Sequence, residues 1–246
     1  MKRIVYTALL VFVFFSTEAY AGMLDDVMKG MGSTATKGPG KGPDKGIDNA
    51  TTVSGLKEAL SIGTENAVKS VSKTDGYFKN KAIRILMPEK IQKVADVLSK
   101  VGYQKEVDDF ILSMNRAAEK AAPKAASHFV GAIKEMSVED ASGILKGGDT
   151  AATEYFKKKT NAKLYDSFKP IISSSLNEVG ATSSYKNMMA RYESIPFMDK
   201  QSLDLDHYVT NKSLDGLFYM VGQEEKKIRT DPTAQVTDLL KTVFGK

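Results

Sequence analysis

Cysteine and tryptophan are absent from this chain of 246 residues, and histidine occurs only as His128 and His207. Without thiols the protein cannot form a disulfide, a cysteine nucleophile, a thiolate zinc site or a cysteine-ligated iron–sulfur cluster. Two histidines are also too few for an imidazole-rich metal centre. We therefore predict no metal and no cofactor. The serine-nucleophile motifs G-x-S-x-G and S-x-x-K do not occur in a supporting context, so an enzyme is the less favoured hypothesis.

Long apolar runs are lacking except near the N terminus, at residues 4–15. This run follows Lys2 and Arg3 and precedes small residues that end at Ala21, which is the order of a secretory signal peptide. It is shorter than the roughly 20 residues that cross a bilayer, so no transmembrane segment is predicted. We expect residues 1–21 to be cleaved as a signal peptide and the mature protein to be periplasmic or secreted.

The chain also lacks a large excess of positive or negative charge. It has 35 Lys and Arg and 30 Asp and Glu, which gives a formal net charge of +5. An excess of this size, spread over the whole chain, does not indicate binding to nucleic acid. The one basic cluster is formed by Lys157, Lys158 and Lys159. We expect it at a helix end, where cations interact favourably with the helix dipole.

Residues 22–50 differ in composition from the rest of the chain. Gly, Pro and Lys alternate there with Asp, Ser and Thr, leaving too little apolar surface to offset the entropy of ordering. The Gly-Lys pairs do not match the phosphate-binding pattern G-x-x-x-x-G-K-[ST]. We therefore predict a flexible tether and no nucleotide site.

Residues 51–246 show the helical period of about 3.6 residues almost throughout. They predict a single all-α, multi-helix bundle-like domain. Only Ile83, Ile85 and Met87 alternate with a period of two, which predicts a short extended segment before Pro88. A loop is expected from Pro196 to Asp206, and a terminal helix after Pro232. Other residues expected to start, kink or stop helices are Gly102, Pro123, Ser137, Asp140, Gly147, Gly148, Asp149, Thr150, Gly180 and Thr182.

One carboxylate stands out on the last long helix. A helical wheel places Glu225 between Val221 and Ile228 in the middle of the apolar face, and Glu224 at its edge. A carboxylate in that position is buried or lines a cavity, and it needs a partner, for which Arg229 is the nearest candidate. Two interpretations follow, a structural ion pair or a binding or catalytic carboxylate, and structural pairs are the commoner case.

A second polar group lies on an earlier helix whose neighbouring residues are mostly alanine. Small side chains let other helices approach closely, so Asn115, Arg116 and Glu119 are expected among protein neighbours. We predict that these three join the group around Glu225 in one polar network. Converging carboxylates could hold a hard cation, but no ligand motif supports a particular ion. The candidate ligand or network residues are Asn115, Arg116, Glu119, Glu224, Glu225 and Arg229.

Several short motifs together resemble a family known only as domain of unknown function 4197, a bacterial family. They comprise residues 115–119 (NRAAE), residues 147–153 (GGDTAAT), residues 214–218 (LDGLF) and the ending from Glu224 and Glu225 to Arg229, Asp231 and Pro232. The resemblance covers about residues 55–245. It implies an exported, helical protein, and it implies no reaction and no catalytic residue.

Two functional hypotheses follow from these features. The first is an exported binding or structural protein of the bacterial cell envelope, which holds an apolar or amphipathic ligand between helices. Its partner would be a lipid-like or other envelope ligand, or an envelope protein. The alternative is a carboxylate-based hydrolase that acts on an envelope polymer. An open pocket beside Glu225 would favour the hydrolase, and a closed core there would favour the structural interpretation.

Overall fold

A computed structural model describes residues 49–178, 180–193 and 204–231 of the chain. These residues all belong to the compact unit formed by Gly46–Lys246. Four expectations lie outside the described residues: the signal peptide at residues 1–21, residues 22–48 of the tether, the loop at Pro196 and the terminal helix after Pro232.

The described residues form eight α-helices and no strand, which confirms the all-α, multi-helix prediction. The first helix begins two residues before the expected start at Thr51. None of the helices in the described ranges is long and apolar enough to cross a membrane. The helices are α1 (Asn49–Ser72), α2 (Glu89–Lys100), α3 (Gln104–Ala121), α4 (Ala125–Lys134), α5 (Val138–Lys146), α6 (Ala151–Glu178), α7 (Ala181–Glu193) and α8 (Leu205–Thr230), with a short 3₁₀ turn at Ala122–Lys124.

The core lies where α6 and α8 pack against each other, with α1 beside α8 and α3 beside α6. Phe129 of α4 touches Phe156 of α6 and Phe218 of α8 edge to face, with ring centroids 5.1 and 6.2 Å away. Close approach of the backbones at α3 and α4 depends on alanine. The fully buried alanines there are Ala117, Ala118, Ala121, Ala122 and Ala125.

Several helix ends fall where the sequence predicts them. Ser137 and Asp140 form a reciprocal capping box at the start of α5. Gly102 and Gly180 adopt positive φ angles of 96° and 70°, which glycine adopts at little steric cost after a helix. Local signals therefore specify these boundaries.

Two boundaries differ from the prediction. Lys157, Lys158 and Lys159 lie inside α6 and not at a helix end, because no glycine or proline follows Phe156 until Pro170, which the helix accommodates. Helix α8 begins at Leu205, inside the expected loop, because the Asp204 side chain accepts a hydrogen bond from the His207 N–H at 2.9 Å. The carboxylate at this position caps the helix.

Residues 73–88 connect α1 to α2 without forming a helix. Turns continue to Ile83, so the predicted extended segment begins one residue later, at Arg84. Ile83, Ile85 and Met87 are buried, whereas Arg84 and Leu86 between them are exposed. The segment lies against α8 at Gly216. A Cβ atom on Gly216 would stand 2.6 Å from Cε1 of Tyr77 and 3.1 Å from Cβ of Ile83. The absence of a side chain at residue 216 therefore permits this contact.

We expect Gly216→Ala to lower the free energy of unfolding by about 1–3 kcal/mol, because the added methyl group overpacks the contact with Tyr77. The matched control is Gly222→Ala on the same helix, where the nearest atom is Oγ1 of Thr153 at 3.5 Å. That change should stabilise the protein by about 0.5–1 kcal/mol through helix propensity. Urea unfolding of both variants is the measurement, and equal effects of the two changes would contradict the close contact.

Candidate functional site

Glu225 is buried, with 6 % of its surface exposed, and it interacts with the N terminus of α6. Its Oε1 accepts a hydrogen bond from the Ala152 N–H at 2.9 Å. Its Oε2 accepts one from the Thr153 N–H and one from the Thr153 hydroxyl, both at 2.8 Å. The first N–H groups of a helix have no partner within that helix, and the helix dipole favours a negative charge beside them. Glu225 therefore caps α6 from another helix.

Arg229 completes this network. Its Nε and Nη2 donate to Oε1 of Glu225 at 3.1 and 2.9 Å, and Nη2 also donates to the carbonyl oxygen of Ile144 at 2.9 Å. Ile144 lies near the end of α5, so the ion pair connects α5, α6 and α8. In all five of its hydrogen bonds Glu225 is the acceptor, as an ionised carboxylate must be. This geometry favours the structural interpretation of Glu225.

Asn115 on α3 is fully buried and pairs with the backbone of the extended segment. Its Oδ1 accepts a hydrogen bond from the Ile85 N–H at 2.8 Å, and its Nδ2 donates to the Ile85 carbonyl oxygen at 2.8 Å. Nδ2 also donates to the carbonyl oxygen of Ile111 at 2.8 Å. The amide thus satisfies the backbone of Ile85 as a neighbouring strand would.

Arg116 and Glu119, which follow Asn115 on α3, hold the beginning of the same segment. Oε1 of Glu119 accepts hydrogen bonds from the N–H groups of Tyr77 and Phe78 at 3.0 and 3.2 Å. Arg116 bridges Oε2 of Glu119 at 2.6 Å and Oδ1 of Asp75 at 2.5 Å. Hydrogen bonds from Lys79 and then Arg116 lower the pKa of Asp75, so this carboxylate stays ionised at neutral pH.

The six residues named from the sequence thus belong to separate networks. Within the part of the chain that the structure describes, no hydrogen bond or ion pair joins the α3 group to Glu225 and Arg229. Glu224 lies at the margin, as the wheel indicates, and its Oε2 accepts a hydrogen bond from Nδ2 of the exposed Asn66 at 3.2 Å. The expected single network is not formed, because the α3 side chains bind the segment before α2 and Glu225 binds α6.

The two histidines lie apart from both networks. Nε2 of His128 is 2.8 Å from Oγ of Ser167, and burial together with the charge of Lys163 lowers the pKa of His128. Nδ1 of His207 is 2.7 Å from the hydroxyl of Tyr165. Among residues 49–178, 180–193 and 204–231, no three His, Asp or Glu side chains are grouped to hold a metal ion.

A groove of about 1010 Å³ lies between residues 82–89 and residues 204–219 of α8 and its cap, and Glu225 is not among its lining residues. Two of the exposed large apolar side chains line it, namely Leu86, which is 57 % exposed, and Tyr219, which is 46 % exposed. The lining residues from α8 and its cap are Asp204, His207, Tyr208, Asn211, Lys212, Asp215, Gly216 and Tyr219. We define these residues together with residues 82–89 as the groove.

Two contacts fix the direction of the groove walls. Ile83 lies against Gly216, and the hydroxyl of Tyr208 donates to the carbonyl oxygen of Leu86 at 3.0 Å. As residues 83–89 advance, they therefore approach the N terminus of α8, so the two walls run antiparallel. Burial and the nearby Glu89 carboxylate raise the pKa of Tyr208, which keeps this hydroxyl protonated.

The antiparallel walls separate charges toward the two ends of the groove. Glu89 and Asp204 lie at the end near the start of α8, and Arg84 lies toward the level of Gly216. Arg84 packs over the Phe78 ring at 4.4 Å, and Lys212 pairs with Asp215 at 3.6 Å. Among the described residues, Arg84, Glu89 and Asp204 have no ion-pair partner. The groove therefore offers charges of opposite sign without ion-pair partners at its two ends, although the Asp204 carboxylate also caps α8.

The sequence pattern identified the inward face of the extended segment but not the groove. If Ile83, Ile85 and Met87 face the core, Leu86 between them faces outward. This alternation could have predicted that residues 82–89 form one wall of the groove. The other wall could be found on the helical wheel that places Glu225 in the core. Tyr208, Lys212, Asp215 and Tyr219 form a separate stripe on that wheel, at spacings of three or four residues.

We expect Glu225→Gln to lower the free energy of unfolding by about 3–5 kcal/mol, because the amide nitrogen would face a donor in either orientation and Arg229 would lose its partner. Arg229→Met should cost a similar amount by leaving Glu225 unpaired. Glu224→Gln is the matched control and should have little effect, since Glu224 binds only an exposed asparagine. Thermal unfolding checks all three, and a neutral or stabilising Glu225→Gln would disprove the structural ion pair.

We expect Asn115→Ala to cost about 3 kcal/mol, because the buried N–H and carbonyl of Ile85 would each lose a partner at about 1–3 kcal/mol per group. Asn66→Ala, which removes an exposed asparagine, should be close to neutral. Hydrogen exchange separates this role from general packing. Exchange at Ile85 should accelerate more in Asn115→Ala than exchange in α6, and equal acceleration at both places would contradict the role of Asn115.

Comparison with known proteins gives one assignment. Searches of curated proteins and of solved structures find no match. A family model described as "Protein of unknown function (DUF4197)" matches residues 46–245, which include all the described helices and both polar networks. The match spans most of the chain and agrees with the resemblance seen in the sequence motifs. The chain therefore belongs to the DUF4197 family of proteins.

Proposed function

We propose that this protein is an exported binding protein of the bacterial cell envelope that holds an apolar or amphipathic ligand in the groove. The observation that carries the proposal is the placement of Leu86 and Tyr219. The large apolar side chains of the described residues are mostly buried, yet these two are exposed and line the same groove. Ligand sites are typically concave and apolar with a few polar groups that fix orientation.

A preformed wall supports binding at this place. Asn115 and Glu119 hold residues 77–85 through hydrogen bonds to their backbone, and Tyr208 fixes the carbonyl of Leu86. A wall held in this way does not have to be ordered when a ligand binds, which reduces the entropic cost of binding. The site thus combines exposed apolar surface with a fixed backbone.

The hydrolase alternative loses the carboxylate on which it depended. Glu225 is buried and accepts five hydrogen bonds from α6 and Arg229, and Glu119 binds two backbone N–H groups and Arg116. A catalytic acid or base must reach the substrate within hydrogen-bonding distance. Neither Glu225 nor Glu119 lines the groove, so we propose binding at the groove and assign no reaction to these two carboxylates.

Export is the part of the proposal that depends on the sequence alone. The N terminus follows the order of a cleaved signal peptide: Lys2 and Arg3 come first, then the apolar residues 4–15, then a short stretch that ends at Ala21. We expect the protein recovered from a periplasmic extract to begin at Gly22 by intact mass. A protein that keeps Met1 and stays in the cytosol would contradict both export and a role in the envelope.

Binding is tested with anilinonaphthalene sulfonate, an amphipathic probe whose fluorescence rises in apolar surroundings. We expect the full chain to bind it, and Leu86→Asp to weaken binding about tenfold, as the loss of one apolar contact of about 1.5 kcal/mol implies. The matched control is Val138→Asp, because Val138 is 58 % exposed and lies outside the groove. Equal weakening by both changes, or no binding, would contradict a ligand site in the groove.

A further inference from the structure

We infer that the ligand of the groove is an extended polypeptide segment that pairs with the backbone of residues 84–86 as an added strand. This inference rests on the proposed function and narrows its ligand to one chemical class. It combines three observations from the groove: an unpaired backbone edge, exposed apolar side chains beside that edge, and free charges of opposite sign at the two ends.

The backbone edge is the most specific of these observations. In an extended chain, the N–H and C=O groups of successive residues point to opposite sides. Both groups of Ile85 bind Asn115 on the α3 side, so those of Arg84 and Leu86 face the α8 side and the groove. Leu86 confirms this direction, because its carbonyl oxygen accepts a hydrogen bond from Tyr208 of α8.

Two groups on this edge are left without partners among the described residues. The Leu86 N–H donates no hydrogen bond, and the Arg84 carbonyl oxygen accepts none, although the Arg84 N–H binds the carbonyl of Asn80. A donor and an acceptor two residues apart are the pair that an added strand engages, in either direction. Peptides that add a strand to an exposed edge gain affinity from these backbone bonds.

The side chains beside the edge match an alternating peptide. Leu86 and Tyr219 supply apolar surface for every second side chain of the peptide, since side chains alternate along a strand. Residues 84–88, between the turn that ends at Ile83 and the start of α2, span about 16 Å at roughly 3.3 Å per residue. The wall therefore matches a peptide of about five residues in length.

Charge decides between a peptide and an acyl chain. Glu89 and Asp204 at one end of the groove favour a cationic group on the ligand, and Arg84 at the other end favours an anionic group. A peptide can carry both and can also pair with the Leu86 N–H. An acyl chain has one polar end and no backbone, so it would leave one set of charges and the unpaired N–H without partners.

The experiment measures fluorescence anisotropy of labelled octapeptides with the full chain. The probes alternate valine and threonine between one terminal lysine and one terminal glutamate, and they are made in both charge orders. We expect one order to bind more tightly, and N-methylation of its backbone to weaken binding about tenfold because the paired N–H is removed. Equal binding of the methylated and unmethylated peptides would overturn the strand-like mode.

Variants on the protein side test the same geometry. We expect Leu86→Asp to weaken peptide binding about tenfold, with Val138→Asp unchanged as the control. The double variant Arg84→Glu, Glu89→Lys should reverse the preferred charge order, because it leaves a negative charge at residue 84 and cancels the charge of Asp204 at the other end. Loss of fold cannot produce a reversal, and circular dichroism verifies that each variant is helical. An unchanged preference in the double variant would overturn the charge argument.

A fluorescent fatty acid separates this inference from the proposed function. If the fatty acid binds with the same dependence on Leu86 and neither peptide binds, the peptide inference fails and the proposed ligand site stands. If neither the fatty acid, the peptides nor the amphipathic dye binds, both fail. Peptide binding that is sensitive to N-methylation and reverses its charge order in the double variant Arg84→Glu, Glu89→Lys supports both.

Discussion

The buried pair of Glu225 and Arg229 is the interaction on which the arrangement of α5, α6 and α8 depends. The carboxylate binds the first N–H groups of α6, and the guanidinium binds both the carboxylate and the Ile144 carbonyl of α5. One ion pair thus satisfies polar groups at two helix ends that would otherwise be buried without partners. The position of α8 relative to α6 follows from this geometry, and α8 in turn supplies one wall of the groove.

The other wall depends on α3. Among the described residues, no strand lies beside the segment before α2, and the segment's own hydrogen bonds form only isolated turns, so its backbone groups need partners from elsewhere. Asn115 and Glu119 provide them with side-chain oxygens and an amide nitrogen. These residues lie away from the groove, yet they determine its shape. Positioning and ligand contact are therefore divided between α3 and the residues of the groove itself.

The fold class, the extended segment and the burial of Glu225 could be predicted because each depends on periodicity within a short stretch of sequence. Partners could not be predicted in this way. Glu225 binds residues about 70 positions earlier, and Asn115 binds a residue 30 positions earlier. A helical wheel indicates that a side chain is buried but not which backbone group it meets. The prediction that Lys157–Lys159 lie at a helix end was wrong for the opposite reason. It applied a local rule, that cations favour helix C termini, at a place where no residue ends the helix.

The dependence of the connecting segment on three side chains of α3 has a consequence for its cooperativity. Its release from α3 breaks its hydrogen bonds to these side chains and exposes the buried side chains of Ile83, Ile85 and Met87, whereas global unfolding also exposes the aromatic core between α6 and α8. Release of the segment alone therefore has a lower free energy than global unfolding. Any molecule that binds only the closed segment raises this opening free energy in proportion to the logarithm of its concentration. Protection of the Ile85 amide from solvent exchange is therefore a direct measure of occupancy at the groove.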